Sequence, residues 1–205
     1  MLELSTLEKY DPQGMYKVYD SWPKIARESF ESNLDPIDFN DVDHIVFAGM
    51  GGSGAIGDMF AAILSKTKIH VNVVKGYVLP KTVNSNTLVI VVSVSGDTKE
   101  TMSALVSAHK IGSKIIVFSS GGKMQEYCIK NKIEYRIIPQ YHSPRASFSS
   151  FLYSILKVLY STLEIKKDDI LESITEMEKI NKMINSSNLI EKNPALNLAE
   201  LMKGI

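Results

Sequence analysis

Apolar residues along the chain follow two rhythms. Five short runs rich in β-branched residues, at 44–48 (HIVFA), 69–74 (IHVNVV), 88–92 (LVIVV), 114–118 (KIIVF) and 134–138 (EYRII), are apolar almost without interruption. A strand with one wet face alternates apolar and polar positions, so near-continuous runs predict strands covered on both faces, as in a parallel sheet with helical crossovers. Between the runs the spacing lengthens to that of a helix, at 54–65, 98–111 and 123–131, which supplies the crossovers. Another helix is predicted near 15–32, packed on one face, with Pro23 starting or kinking part of it because proline has no amide hydrogen to give. Beyond the last strand, Phe148, Phe151, Leu152, Ile155, Leu156, Val158 and Leu159 form a broad stripe that predicts a core helix. Residues 168–185 read as a more polar amphipathic helix, 186–188 (SSN) as a turn, and a last helix is expected from about Pro194. The chain shows no internal repeat.

The alternation of strand and helix predicts an α/β fold, a five-stranded parallel sheet flanked by helices. With strand order 2-1-3-4-5, strands one and three are neighbours whose crossovers leave to opposite faces. Ligands of such sheets bind at the carboxyl ends of the strands, at that point. Two loops therefore matter most: the one after 44–48 and the one after 88–92.

Composition narrows the partners. The 205 residues carry 23 basic and 23 acidic side chains, so no net field recruits nucleic acid or an anionic membrane. No apolar run approaches the roughly 20 residues of a membrane span, and the opening MLELSTLEKYDPQG lacks the layout of a signal peptide. A cytoplasmic address is expected. The lone Cys128 forms neither an internal disulfide nor a cysteine cage, and no histidine pair has ligand spacing, so no metal is expected.

The first loop, GMGGSGAIGD at 49–58, packs five glycines into nine residues. Such clustering implies sharp turning or close approach of backbone to a ligand. Gly49, Gly51 and Gly54 satisfy the dinucleotide fingerprint formally, but the end of the second strand (NVVKGY) holds Lys75 where a ribose-binding carboxylate belongs, which disfavours NAD and leaves NADP open. A Walker A loop would need a lysine after Gly54, and Ala55 stands where a nucleophile elbow around Ser53 needs its final glycine. The second loop, SVSGDTKET at 93–101, offers hydroxyls from Ser93, Ser95 and Thr98, a turn at Gly96, and a helix start whose unpaired amides suit a phosphate monoester. The competing reading is a plain capping arrangement, with Asp97 and Glu100 serving the helix start.

GMGGSGAIGD after strand one and SVSGDTKET after strand three resemble the paired loops of the sugar isomerase (SIS) domain. With SPRASF at 143–148, the glycine loop is similar to that of the bifunctional phosphoglucose/phosphomannose isomerases. The resemblance implies a flavodoxin-like three-layer sandwich and isomerisation of glucose 6-phosphate or mannose 6-phosphate to fructose 6-phosphate through a cis-enediol, without cofactor or metal. It assigns phosphate to Ser93, Ser95 and Thr98, the sugar or its phosphate to Gly52 and Ser53, and a catalytic role beside the reacting carbons to Arg145. Where Val94 and Asp97 stand, the family more often has an aromatic residue and Asn. Arg145 also draws attention by itself, because a cation at a helix N-terminus opposes the dipole unless an anion offsets it; the alternative is a surface arginine paired to a carboxylate.

In that family the base, a glutamate, and a histidine that opens the ring lie in a second SIS domain. The expected division is a helical segment at 1–40 packing on the core, the SIS domain at 41–163, and a helical linker at 164–205 leading to a second SIS domain outside this chain. On this reading the chain alone is inactive, and Glu164, Glu191 and Glu200 are solvated helix charges rather than the base. His44, His70 and His109 are expected away from the site, and His142 on the correct edge. A regulatory phosphosugar-binding module is the alternative function. SIS domains commonly pair, so a homodimer is expected, with the stripe on 148–159 as a candidate interface.

Overall fold

A computed structural model of the chain describes residues 3–202. Three short helices, α1 (Leu4–Tyr10), α2 (Met15–Asp20) and α3 (Trp22–Phe30), precede the sheet. Then follow β1 (His44–Ala48), α4 (Gly52–Leu64), β2 (His70–Val74), β3 (Leu88–Ser93), α5 (Lys99–Ile111), β4 (Lys114–Ser119), α6 (Gly122–Asn131), β5 (Glu134–Ile137), α7 (Phe148–Leu159), α8 (Lys167–Ile184) and α9 (Pro194–Leu201). The strands form one parallel sheet in the order β2-β1-β3-β4-β5, as expected.

Side chains alternate across the sheet and build two cores. Ile45, Phe47, Leu88, Ile90, Val92, Ile116 and Phe118 face α3, α4, α7 and α8, meeting Phe30, Phe60, Phe151, Ile155 and Ile170. Val46, Val89, Val91, Ile115 and Val117 face α5 and α6, meeting Leu105, Ala108, Met124 and Cys128. Phe47 stacks on Phe60 with ring centroids 4.9 Å apart. Because α4 and α5 cover opposite faces, the crossover direction reverses between β1 and β3. Their carboxyl ends flank the switch point.

The structure corrects the sequence reading in four places. Burial on both faces holds for β1, β3 and nearly all of β4, whereas β2 and β5 are partly exposed because each is an edge. The helix predicted over 15–32 is two helices meeting at Ser21, whose hydroxyl bonds back to the Lys17 carbonyl (2.8 Å), with Pro23 in the first turn of α3. The sequence reading missed α1, which buries no residue and so carries no core stripe. Finally, the stripe on α7 is no candidate interface: its residues from Ser149 to Leu156, Val158 and Leu159 are buried against the sheet and α3. Among the described residues no helix is long and apolar enough to cross a membrane. Gly204, which the sequence marks as a terminator of the last helix, lies outside the described residues.

Candidate functional site

After β1 the chain turns through Gly49, Met50 and Gly51 into α4. Gly51 adopts φ +54°, where a side chain strains the backbone. Three other glycines answer to packing. A Cβ on Gly49 would lie 2.9 Å from the Ser53 carbonyl carbon, one on Gly54 2.8 Å from the Gly49 oxygen, and one on Gly57 2.9 Å from both Phe47 Cβ and Val73 Cγ1. Gly52 differs, since the nearest atom to its missing side chain is the Pro144 carbonyl oxygen at 3.9 Å. The protein itself thus explains four of the five glycines. At Gly52 an added carbon would meet the Pro144 carbonyl only at ordinary contact distance, so neither backbone conformation nor packing demands glycine there; the buried Ser53 lies beside it in the first turn of α4.

The second loop starts at Ser93, the buried last residue of β3. Ser93 Oγ accepts the Gly96 amide (3.1 Å) and lies 3.1 Å from Thr98 Oγ1. Ser95 is exposed, and its Oγ accepts the Asp97 amide at 3.3 Å. Thr98 is the N-cap of α5, yet its side chain caps nothing and turns to Ser93 instead. The plain capping arrangement fails at its other two residues as well. The Asp97 carboxylate accepts the Lys123 amide (3.1 Å) and so serves the start of α6. Glu100 is engaged by the Tyr77 hydroxyl, whose pKa is raised by that hydrogen bond and by the carboxylate's charge. No side chain caps the positive end of α5, and three hydroxyls surround it.

A third loop, which the sequence reading did not single out, buttresses the second. FSSGGK at 118–123 runs from the end of β4, where Ser119 is in register with Ser93, into the first turn of α6. Gly96, at φ +73°, is so close to it that a Cβ there would overlap the Gly121 oxygen at 1.8 Å. A Cβ on Gly122 would lie 2.6 Å from the Ser95 oxygen. The Ser120 amide donates to the Val94 carbonyl (3.0 Å) and the Met124 amide to the Gly96 carbonyl (3.1 Å). The available signal was two serines and two glycines directly behind an apolar run.

Arg145 sits in the loop between β5 and α7, is exposed, and pairs with no carboxylate among the described residues, so the surface ion-pair alternative finds no support. Its neighbour Pro144 faces Gly52, which brings the arginine loop to the glycine loop. His142 has φ +49° and lies on this edge. Nearby, the Asp11 carboxyl is held below the ordinary range, first by the amide of Tyr16 (2.8 Å), with a smaller contribution from His142. The other histidines lie elsewhere. His44 is buried at the amino edge of the sheet, 3.1 Å from Thr87 Oγ1 and 2.9 Å from Asn72 Oδ1, with the His70 ring 5.1 Å away, and His109 lies edge-on to Tyr127. Lys75, where a ribose-binding carboxylate would stand, pairs with Asp58 at 2.6 Å.

These loops gather at the switch point of a doubly wound sheet, the place where α/β domains of this kind take their ligands. Residues 38–163, well over half of the chain, match the family model described as the SIS domain, and the chain belongs to that family. It is 37% identical over 190 residues to a bifunctional phosphoglucose/phosphomannose isomerase of Caldicellulosiruptor bescii, covering 91% of this chain and 54% of that protein. It is 27% identical over 146 residues to a D-glucosamine-6-phosphate 4-epimerase of Sulfolobus acidocaldarius, covering 71% of this chain and 46% of the relative. Among solved structures, a hypothetical protein of Thermus thermophilus superposes with a TM-score of 0.65 at 20% identity, over 96% of this chain and 50% of the other. The chain spans about half the length of the curated relatives it matches.

Proposed function

We propose that the chain binds a hexose 6-phosphate at the β1/β3 switch point and serves the interconversion of glucose 6-phosphate or mannose 6-phosphate with fructose 6-phosphate. The observation that carries this reading is the start of α5, where Ser93, Ser95 and Thr98 surround a helix N-terminus that no side chain caps. A phosphate dianion there gains the dipole and charge-assisted hydrogen bonds. Gly52 and Ser53 take the sugar or its phosphate, and Pro144 beside Gly52 brings Arg145 to the same cleft.

The reaction moves hydrogen within one molecule. In the open-chain aldose a carboxylate base removes the proton on C2, the electrons pass to the carbonyl oxygen on C1, and a cis-enediol forms. Reprotonation at C1 with loss of the O2 proton gives the ketose. C1 is reduced as C2 is oxidised, so no external redox partner is needed. Arg145 stabilises the negative oxygen of the enediolate. We assign the base to polypeptide outside these 205 residues, in keeping with relatives about twice as long. The epimerase relative supports such a division, since its named reaction concerns another carbon of a hexose 6-phosphate. The half shared with this chain then serves to hold the phosphorylated sugar. A homodimer and a cytoplasmic address complete the proposal.

The test is an assay of glucose 6-phosphate and mannose 6-phosphate turnover by the complete product of the gene and by the 205-residue chain. Both substrates should be converted by the complete product, while the chain binds fructose 6-phosphate without converting it. A complete product that converts neither substrate overturns the isomerase reading.

A further inference from the structure

The loop that carries Arg145 is irregular but closed on itself, with the Ser147 amide on the Ser143 carbonyl (3.1 Å) and the Phe148 amide on the Arg145 carbonyl (3.3 Å). Residues 138–147 belong to no strand or α-helix, and His142 holds a positive φ. Within the loop, Ser147 Oγ accepts the Tyr141 amide (2.9 Å) and Ser143 Oγ the Ala146 amide (3.3 Å). At its start the Ile138 amide donates to the Ser119 carbonyl (2.9 Å) and the Pro139 carbonyl accepts the Ser150 hydroxyl (3.4 Å), whereas the side-chain contacts beside Arg145 come from α2 and α3, which precede residue 38, where the family match begins. The Trp22 indole N–H donates to the Ala146 carbonyl at 2.8 Å, one residue past Arg145. The Trp22 carbonyl in turn accepts the Ser149 hydroxyl (3.1 Å), and its ring stacks on Phe148 with centroids 6.1 Å apart. On the other side of Arg145, Ser143 Oγ lies 3.8 Å from Met15 Sδ.

We infer that Trp22 is a positioning residue for Arg145, holding the guanidinium-bearing turn against the glycine loop through its indole N–H. Resting on the functional reading of Arg145, this inference makes the helices ahead of the SIS domain part of the site. Packing alone would be satisfied by phenylalanine, which keeps the ring between Tyr19 and Phe148 but has no donor for Ala146. Trp22 therefore acts through geometry. Arg145 meets charge on the reacting carbons while the phosphate is held by another loop, so the two ligand ends should respond differently.

The experiment is calorimetry on the 205-residue chain with two probes: inorganic phosphate, and a five-carbon aldonic acid phosphate whose carboxylate stands in for the enediolate. R145A should weaken the aldonate about tenfold or more and leave phosphate within about twofold. W22F should weaken the aldonate about fivefold in the chain that has Arg145, and by less than about twofold in R145A, with phosphate again unchanged. S149A, which releases the Trp22 carbonyl, should act in the same direction and serves if W22F folds poorly. If R145A weakens the aldonate but W22F and S149A do not, or weaken it equally without Arg145, the positioning inference is overturned while the site reading stands. If R145A itself has no effect, the reading of Arg145 falls and the inference with it.

Discussion

Ser93, Ser95 and Thr98 differ in what the folded protein already requires of them. Ser93 is buried and holds the Gly96 amide, so its hydroxyl shapes the loop. Ser95 is exposed and Thr98 only partly buried, and neither hydroxyl caps α5. Ser95→Ala and Thr98→Ala should each weaken fructose 6-phosphate by about 1–3 kcal/mol, the size of a hydrogen bond to a charged group, with the melting temperature nearly unchanged. Ser93→Ala should lower affinity and, by a smaller amount, melting temperature, because the Gly96 amide loses the hydroxyl but keeps the Ser93 carbonyl at 3.2 Å. Calorimetry and thermal melts on the three variants separate these effects; unaltered affinity in Ser95→Ala and Thr98→Ala would remove this loop as the anchor. The hydroxyls were legible in the sequence because their chemistry is local. What Asp97 and Glu100 do was not, since their partners, Lys123 and Tyr77, are more than 20 residues away.

Elements were legible where burial imposes a period. Continuous apolar runs marked the strands, and helical spacing marked α4 to α8 to within about two residues at each end. Exposed or non-local features escaped: α1, which buries nothing, the break at Ser21, and the interlock of the β3–α5 and β4–α6 loops. That interlock gives a sharp expectation. Gly96→Ala forces a side chain into a positive φ and into the Gly121 carbonyl, an overlap with backbone that cannot rotate away. Strained backbone alone costs about 1–3 kcal/mol, so a clearly lower melting temperature and weaker phosphate binding should appear together. Gly76→Ala, with nothing within 4 Å of the added carbon, should change stability by no more than about 0.5 kcal/mol. Equal melts for the two variants would contradict the interlock.

For the molecule as a whole, topology converts separated motifs into one site. The order β2-β1-β3-β4-β5 places the glycine loop beside the serine loop although some 40 residues separate them, at the point where the crossover direction reverses. The arginine loop is drawn in by Pro144 at Gly52 and braced from the opposite end of the chain by Trp22. The central claim is that a phosphate monoester docks in this cleft with its anionic end at the start of α5. A crystal of the chain soaked with fructose 6-phosphate tests it directly. The account predicts the phosphoryl oxygens within hydrogen-bond distance of Ser93, Ser95 and Thr98, with the sugar toward Gly52 and Arg145; a phosphoryl group bound away from this loop would contradict it.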